Sequence, residues 1–79
     1  MTINDYQRGK LEIALGKLNE VQELITFLAS DTADGEFGAQ MDMLNAEIMS
    51  NTDDLRKAKD DSELVGYSEY RKRFLEGDR

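Results

Sequence analysis

Two long stretches of this chain carry apolar residues at the spacing of an α-helix. Over residues 4–29, two rows repeat every seven positions: Leu11, Leu18, Ile25 and Ala14, Val21, Leu28. Over residues 35–59, the rows are Met41, Ile48, Leu55 and Phe37, Leu44, Asn51, Ala58. A seven-residue repeat is typical of helices that pack along a shared seam. We therefore predict one helix over about residues 4–29 and a second over about residues 36–59.

The short segment between these helices predicts a hairpin. A turn at residues 30–35 leaves two long helices to lie side by side and antiparallel. One register aligns most of the apolar rows, with the pairs Leu18–Leu44, Val21–Met41, Ala14–Ile48 and Ile25–Phe37, and with edge pairs Lys10–Asp54 and Lys17–Glu47. We take this register as the expected one.

The C-terminal segment predicts a short third helix. Residues 62–76 place Leu64, Tyr67, Tyr70 and Phe74 at helical spacing, and Ser62 is a suitable N-terminal cap. Gly66 lies inside this stretch and disfavours helix, so a start at Ser68 is the alternative. The expected fold class is all-α: a single domain over residues 1–79, with a long antiparallel, coiled-coil-like hairpin and a short C-terminal helix that folds back on it.

A domain of this size needs additional stabilisation. The chain has 79 residues and no Cys, so it buries a modest core and forms no disulfide. The first helix also carries apolar residues outside its rows, including Ile13 and Phe27, which one neighbouring helix cannot cover. We therefore expect a homo-oligomeric helical bundle, with a dimer favoured.

Several classes of function are disfavoured by composition. The absence of His and Cys removes the commonest general base and the usual zinc ligands, and we expect no enzyme, no cofactor and no metal site. Residues 30–41, SDTADGEFGAQM, resemble a calcium loop around Asp34 and Gly35. However, the twelfth position is Met41 instead of the bidentate Glu, so we interpret the segment as a turn. No stretch resembles a signal peptide or a membrane span, and a cytoplasmic protein is expected.

The net charge of −7 is concentrated in the middle segment of the chain, where residues 30–61 hold nine acids and three bases. The acids at the candidate binding positions are Glu47, Asp53, Asp54, Asp60 and Asp61. Acidic proteins are repelled by nucleic acid and anionic lipid, so such a surface suits a protein partner with a basic surface. The alternative is a solvated face, partly paired with Lys10 and Lys17.

A second candidate surface is the C-terminal helix, where basic and aromatic residues alternate: Tyr67, Tyr70, Arg71, Lys72 and Arg73. This combination can bind single-stranded nucleic acid through phosphate contacts and base stacking. The alternative is an amphipathic helix whose aromatic side chains enter the core and whose basic face pairs with the acids of the second helix. Nucleic acid is the less favoured partner.

These observations predict a small acidic interaction protein, an inhibitor or regulator that binds a macromolecular partner. Ile13 and Phe27, with the five acids, are the expected contacts. In size and composition the chain resembles accessory proteins of phages and mobile elements. The alternatives are a nucleic-acid-binding protein and a structural subunit of a larger assembly.

Overall fold

The computed structural model describes residues 1–76 and confirms the helical hairpin with a short C-terminal helix. The elements in chain order are β1 (Thr2–Asn4), α1 (Asp5–Ser30), α2 (Gly35–Asp60), β2 (Glu63–Val65), α3 (Tyr67–Tyr70) and a π-helical turn (Arg71–Glu76). The molecule is a rod of 61 × 17 × 16 Å. Its long axis follows the two 26-residue helices, α1 and α2.

Both long helices begin at side-chain caps. Asn4 Oδ1 accepts a hydrogen bond from Gln7 N at 2.8 Å, and Gln7 Oε1 accepts one from Asn4 N at 3.0 Å. This reciprocal capping box satisfies two backbone donors at the start of α1. At the start of α2, Asp34 Oδ1 accepts from Glu36 N at 2.9 Å and from Phe37 N at 3.3 Å. The turn is thus the short segment 31–34, and Asp34 acts as a helix cap.

Each helix contributes two rows of residues to the seam between the helices. One row in each helix is the predicted one, and the other differs from the prediction. The rows Leu11, Leu18, Ile25 and Met41, Ile48, Leu55 are half-buried, as predicted. The second rows are Leu15, Gln22, Ala29 and Gly38, Asn45, Thr52, each shifted by one residue from the prediction. The seam therefore alternates apolar residues with small and polar ones, and the predicted rows of Val21 and Leu44 lie beside it.

The predicted register is wrong. Asn45 Nδ2 donates to Thr26 Oγ1 at 3.1 Å across the hairpin. In the expected register Asn45 would lie level with Lys17, about 14 Å from Thr26 at 1.5 Å per residue. Close packing near the turn explains the shift, because a methyl group added at Gly38 would lie 3.4 Å from Ala29 O. Small residues allow the helices to approach closely here, and the rows that contain Val21 and Leu44 lie beside the seam instead of within it.

A strand pair closes the open end of the hairpin and was not predicted. β1 and β2 pair in parallel, with Thr2, Ile3 and Asn4 opposite Glu63, Leu64 and Val65. The predicted third helix over 62–76 is therefore wrong in its first turn. Gly66 is extended (φ −67°, ψ 160°), and helix begins at Tyr67. The segment extends the rod at its end, so it does not cover Ile13 or Phe27.

No apolar side chain of residues 1–75 is fully buried. The two buried polar residues are Asn4, 4% exposed, and Thr52, 5% exposed. Thr52 Oγ1 donates to Ile48 O at 2.7 Å within its own helix. Burial of apolar area is the main stabilising contribution to most folded domains. This hairpin has little of it within one chain.

Candidate interaction surfaces

The acidic residues of α2 and its C-terminus form one exposed stripe. Its members, named here the acidic stripe, are Glu47, Asp53, Asp54, Asp60 and Asp61, and all are exposed. Asp53 Oδ1 lies 3.3 Å from Arg56 Nη1, and Asp60 shares a shallow groove with Arg8 and Lys59. Most of the stripe's negative charge thus faces solvent, and a basic ligand could approach it along the C-terminal half of α2.

The expected pairing of this stripe with α1 does not occur. Among residues 1–76, Lys17 forms no ion pair with Glu47, and Lys10 forms none with Asp54. Lys10 Nζ lies instead 5.6 Å from the centre of the Tyr6 ring. The reason is geometric: the lysines lie on the outer edge of α1, and the acids lie on the outer edge of α2. Each set is turned away from the neighbouring helix.

One side of the hairpin is mainly apolar. The residues that follow the half-buried rows by three positions lie on the same side of an antiparallel pair. With Phe37 they form the surface named here the apolar face, which is interrupted by one polar residue, Asn51, and whose apolar members are Ala14, Val21, Leu28, Phe37, Leu44 and Ala58. The four larger side chains are 36–42% exposed. They contact the seam on one side and solvent on the other.

The opposite side of the hairpin is mainly polar. Its positions are Glu12, Asn19, Thr26, Asp42, Met49 and Arg56. The hydrogen bond between Asn45 and Thr26 lies on this side. The two broad sides of the hairpin therefore differ in chemistry: one is polar, and the apolar face resembles a surface that packs in a hydrophobic core.

Ile13 and Phe27 lie on the outer surface of α1, away from α2. They are 56% and 61% exposed. Gly9 and Gly16 each lie about one turn from Ile13, and a methyl group added at either would meet no atom within 4 Å. The structure leaves these two predicted contacts accessible but does not bring them together with the acidic stripe, which lies on the other helix.

The C-terminal basic and aromatic residues are partly engaged within the chain. Arg73 Nη1 lies 3.0 Å from Glu63 Oε1, and Arg73 Nε lies 3.1 Å from Glu69 Oε1. The hydrogen bond to Glu63, together with the charge of that carboxylate, raises the pKa of Arg73 above its ordinary value. Arg73 therefore pairs with its own segment and not, as one interpretation held, with acids of the second helix.

The aromatic residues of this segment form a small cluster at the end of the rod. The rings of Tyr70 and Phe74 are 4.9 Å apart. Tyr70 Oη accepts a hydrogen bond from Gln7 Nε2 at 3.3 Å, which ties the segment to α1. Tyr67 is exposed, and Arg71 and Lys72 lie on the surface of the π-helical turn. The expected burial of these aromatic rings in a hairpin core is not found.

In residues 1–76 there is no cluster of three carboxylates that could hold a metal ion. No helix of this part of the chain combines the length and the apolar character needed to span a membrane.

The heptad pattern predicts Val21, Leu28 and Leu44 as seam residues, whereas the structure places them on an open surface beside the seam. A signal was present, since each helix carries about three apolar positions per heptad. A two-helix seam uses two positions per heptad, whereas a helix with two helical neighbours uses three or more. Comparisons of the chain with protein-family models, curated proteins and solved structures found no match.

Proposed function

We propose that this protein is a small protein-binding module that inhibits or regulates a partner by occupying a basic surface with its acidic stripe. The observation that carries the proposal is the exposure of all five acids along one helix, without the expected lysine partners. Charged side chains at the rim of an interface steer association and select partners more than they add affinity. Several exposed acids on one side of a helix are suited to that role.

The alternative of nucleic-acid binding has less support. The contacts of Arg73 with Glu63 and Glu69 reduce the positive charge that the C-terminal segment presents. The net charge of −7 also repels a phosphate backbone at long range.

The experiment captures a partner and then reverses charge on the stripe. Tagged protein is incubated with a nuclease-treated lysate of its native host, and retained proteins are identified by mass spectrometry. Affinity for the purified partner is then measured for wild type and for Asp53→Lys combined with Asp60→Lys. Neither position borders the apolar face, so self-association should not change. We expect the double variant to lose about tenfold or more in affinity, equivalent to about 1.4 kcal/mol.

The matched control places the same charge change on the other helix. Glu20 and Glu23 are exposed residues of α1, and Glu20→Lys with Glu23→Lys alters the net charge equally. This variant should bind the partner with an affinity close to that of wild type. Equal losses in both double variants would mean that only net charge matters. No loss in either variant would overturn the role of the stripe.

A further inference from the structure

A single copy of this chain leaves the greater part of its apolar side chains accessible. No apolar side chain of residues 1–75 is fully buried, and Val21, Leu28, Phe37 and Leu44 are 36–42% exposed on one side. A chain of 79 residues without disulfides depends on apolar burial for its stability. The observations therefore require a second layer over the apolar face.

We propose that the apolar face is covered by a second copy of this chain, and that the two hairpins form a four-helix bundle with both turns at the same end. In this bundle α1 of each copy packs against its own α2 and against α2 of the partner. Each helix then has two helical neighbours, as three apolar positions per heptad require.

The size of the apolar face fits a dimer. The face is about 33 Å long, from the 22 residues 37–58 at 1.5 Å each, and the rod is 17 Å wide. Its projected area is about 560 Å² per copy, or about 1,100 Å² for the pair, above the roughly 1,000 Å² expected of a specific interface. The opposite side of the hairpin is mainly polar, so the assembly closes after two copies.

Charge at the edges selects a second copy and sets its orientation. The contacts of Ala29 with Gly38 and of Thr26 with Asn45 place Lys17 level with residues 50–54 and Lys10 level with residues 57–61. Lys17 therefore lies within about one helical turn of the level of Asp54, and Lys10 within about one turn of the level of Asp61. Within one hairpin these groups lie on opposite outer edges. A two-fold axis parallel to the helices brings α1 of one copy against α2 of the other, with each lysine beside one of these acids of the partner.

The alternative orientation opposes like charges. A two-fold axis perpendicular to the helices would place α1 against α1 and α2 against α2. The edge of α1 that carries Lys17 would then face the same edge of the other copy, and the acidic edge of α2 would face its equivalent. Like charges in such positions are unfavourable. The preferred orientation engages Asp54 and Asp61 of the acidic stripe and leaves Asp53 and Asp60 outside the interface, accessible to another protein. The dimer and the proposed function are therefore tested at different residues.

The first test is the mass of the full chain by sedimentation equilibrium. We expect twice 9.0 kDa at micromolar concentration, with a melting temperature that rises with protein concentration. A folded species of 9.0 kDa whose melting temperature is independent of concentration would overturn the proposal, as would an assembly larger than two copies. A chain that folds only with a different protein would also overturn it.

Two glutamate substitutions separate the apolar face from the polar side. Leu44→Glu puts a charge on the apolar face and should give monomers or loss of helical circular dichroism. Met49→Glu lies on the polar side, is 54% exposed in wild type, and should leave the dimer intact. Dimers of equal strength in both variants would overturn the assignment of this face.

A cross-linking experiment reports the relative orientation of the two copies and requires no destabilising substitution. The chain has no Cys, so single thiols can be introduced without background. A Lys17→Cys chain and a tagged Asp54→Cys chain are mixed, exchanged and treated with a short bis-maleimide. We expect a cross-link between the two different chains and none when either variant is treated alone. A cross-link of Lys17→Cys to itself would establish the opposite orientation, and no cross-link in a dimeric sample would overturn the interface.

Discussion

Asn45 and Thr26 are joined across the hairpin by one hydrogen bond, from Asn45 Nδ2 to Thr26 Oγ1 at 3.1 Å. The other polar atom of the same amide, Asn45 Oδ1, is buried without a hydrogen-bond partner among the described residues. Asn45 occupies a seam position, where a polar residue commonly specifies register at a cost in stability. The unsatisfied oxygen accounts for that cost, since it loses water and receives no donor in exchange.

Replacement of this amide should therefore stabilise the protein. We expect Asn45→Leu to raise the free energy of unfolding by about 1–2 kcal/mol, measured by urea denaturation at fixed protein concentration. Asn19→Leu is the control, because Asn19 is exposed on α1, and its effect should stay within about 0.5 kcal/mol. A loss of stability in Asn45→Leu would show that the amide is satisfied in solution.

Asn4, the N-cap of α1, should be one of the polar residues whose replacement lowers stability most. Asn4 is 4% exposed and takes part in both hydrogen bonds of the capping box. Its side chain also lies where β1 meets α1. We expect Asn4→Ala to lower the free energy of unfolding by about 1–2 kcal/mol, in the same denaturation experiment. Asn19→Ala should be neutral or slightly stabilising, and equal losses at both positions would contradict a capping role for Asn4.

Two helical glycines should respond differently to the same added methyl group. Gly16 lies within α1 with no neighbour within 4 Å, so Gly16→Ala should stabilise by about 0.5–1 kcal/mol through helix propensity. At Gly38 the new methyl would lie 3.3 Å from Thr32 Cγ2 and 3.4 Å from Ala29 O. We expect Gly38→Ala to give no such increase in stability, because Thr32 and Ala29 must move to make room for the methyl group. Thermal unfolding of both variants tests the difference, and an equal gain at Gly38 would mean that the helices are not in close contact there.

Nucleic-acid binding by the C-terminal segment should be weak. Since Arg73 is held by two carboxylates and the whole chain is acidic, we expect no measurable binding to a labelled single-stranded oligonucleotide at physiological salt. Fluorescence anisotropy over a range of salt concentrations is the measurement. Binding that falls steeply with salt and disappears in Arg71→Glu would favour the nucleic-acid alternative over the acidic stripe.

The helical hairpin could be predicted because its signals are local. Leu11, Leu18 and Ile25 repeat at helical spacing, and Asn4 is a cap residue directly before that pattern. The acidic stripe could also be predicted, because acids at heptad spacing lie on one side of any straight helix. The strand pair could not, since Thr2–Asn4 and Glu63–Val65 are too short to show a period. Each strand forms its hydrogen bonds with the other, which lies about 60 residues away in the chain.

The sequence by itself determined the two long helices, where the chain turns between them and which part of the chain carries the excess negative charge. These properties depend on side chains close together in the chain. Only the tertiary structure decided the register and which apolar row enters the seam. Val21 and Leu44 satisfy the heptad pattern as well as Gln22 and Asn45 do. The close contact of Ala29 with Gly38 favours the rows that contain Gln22 and Asn45, because the distance between the helices depends on the smallest facing residues. The same choice placed the large apolar side chains on an open surface.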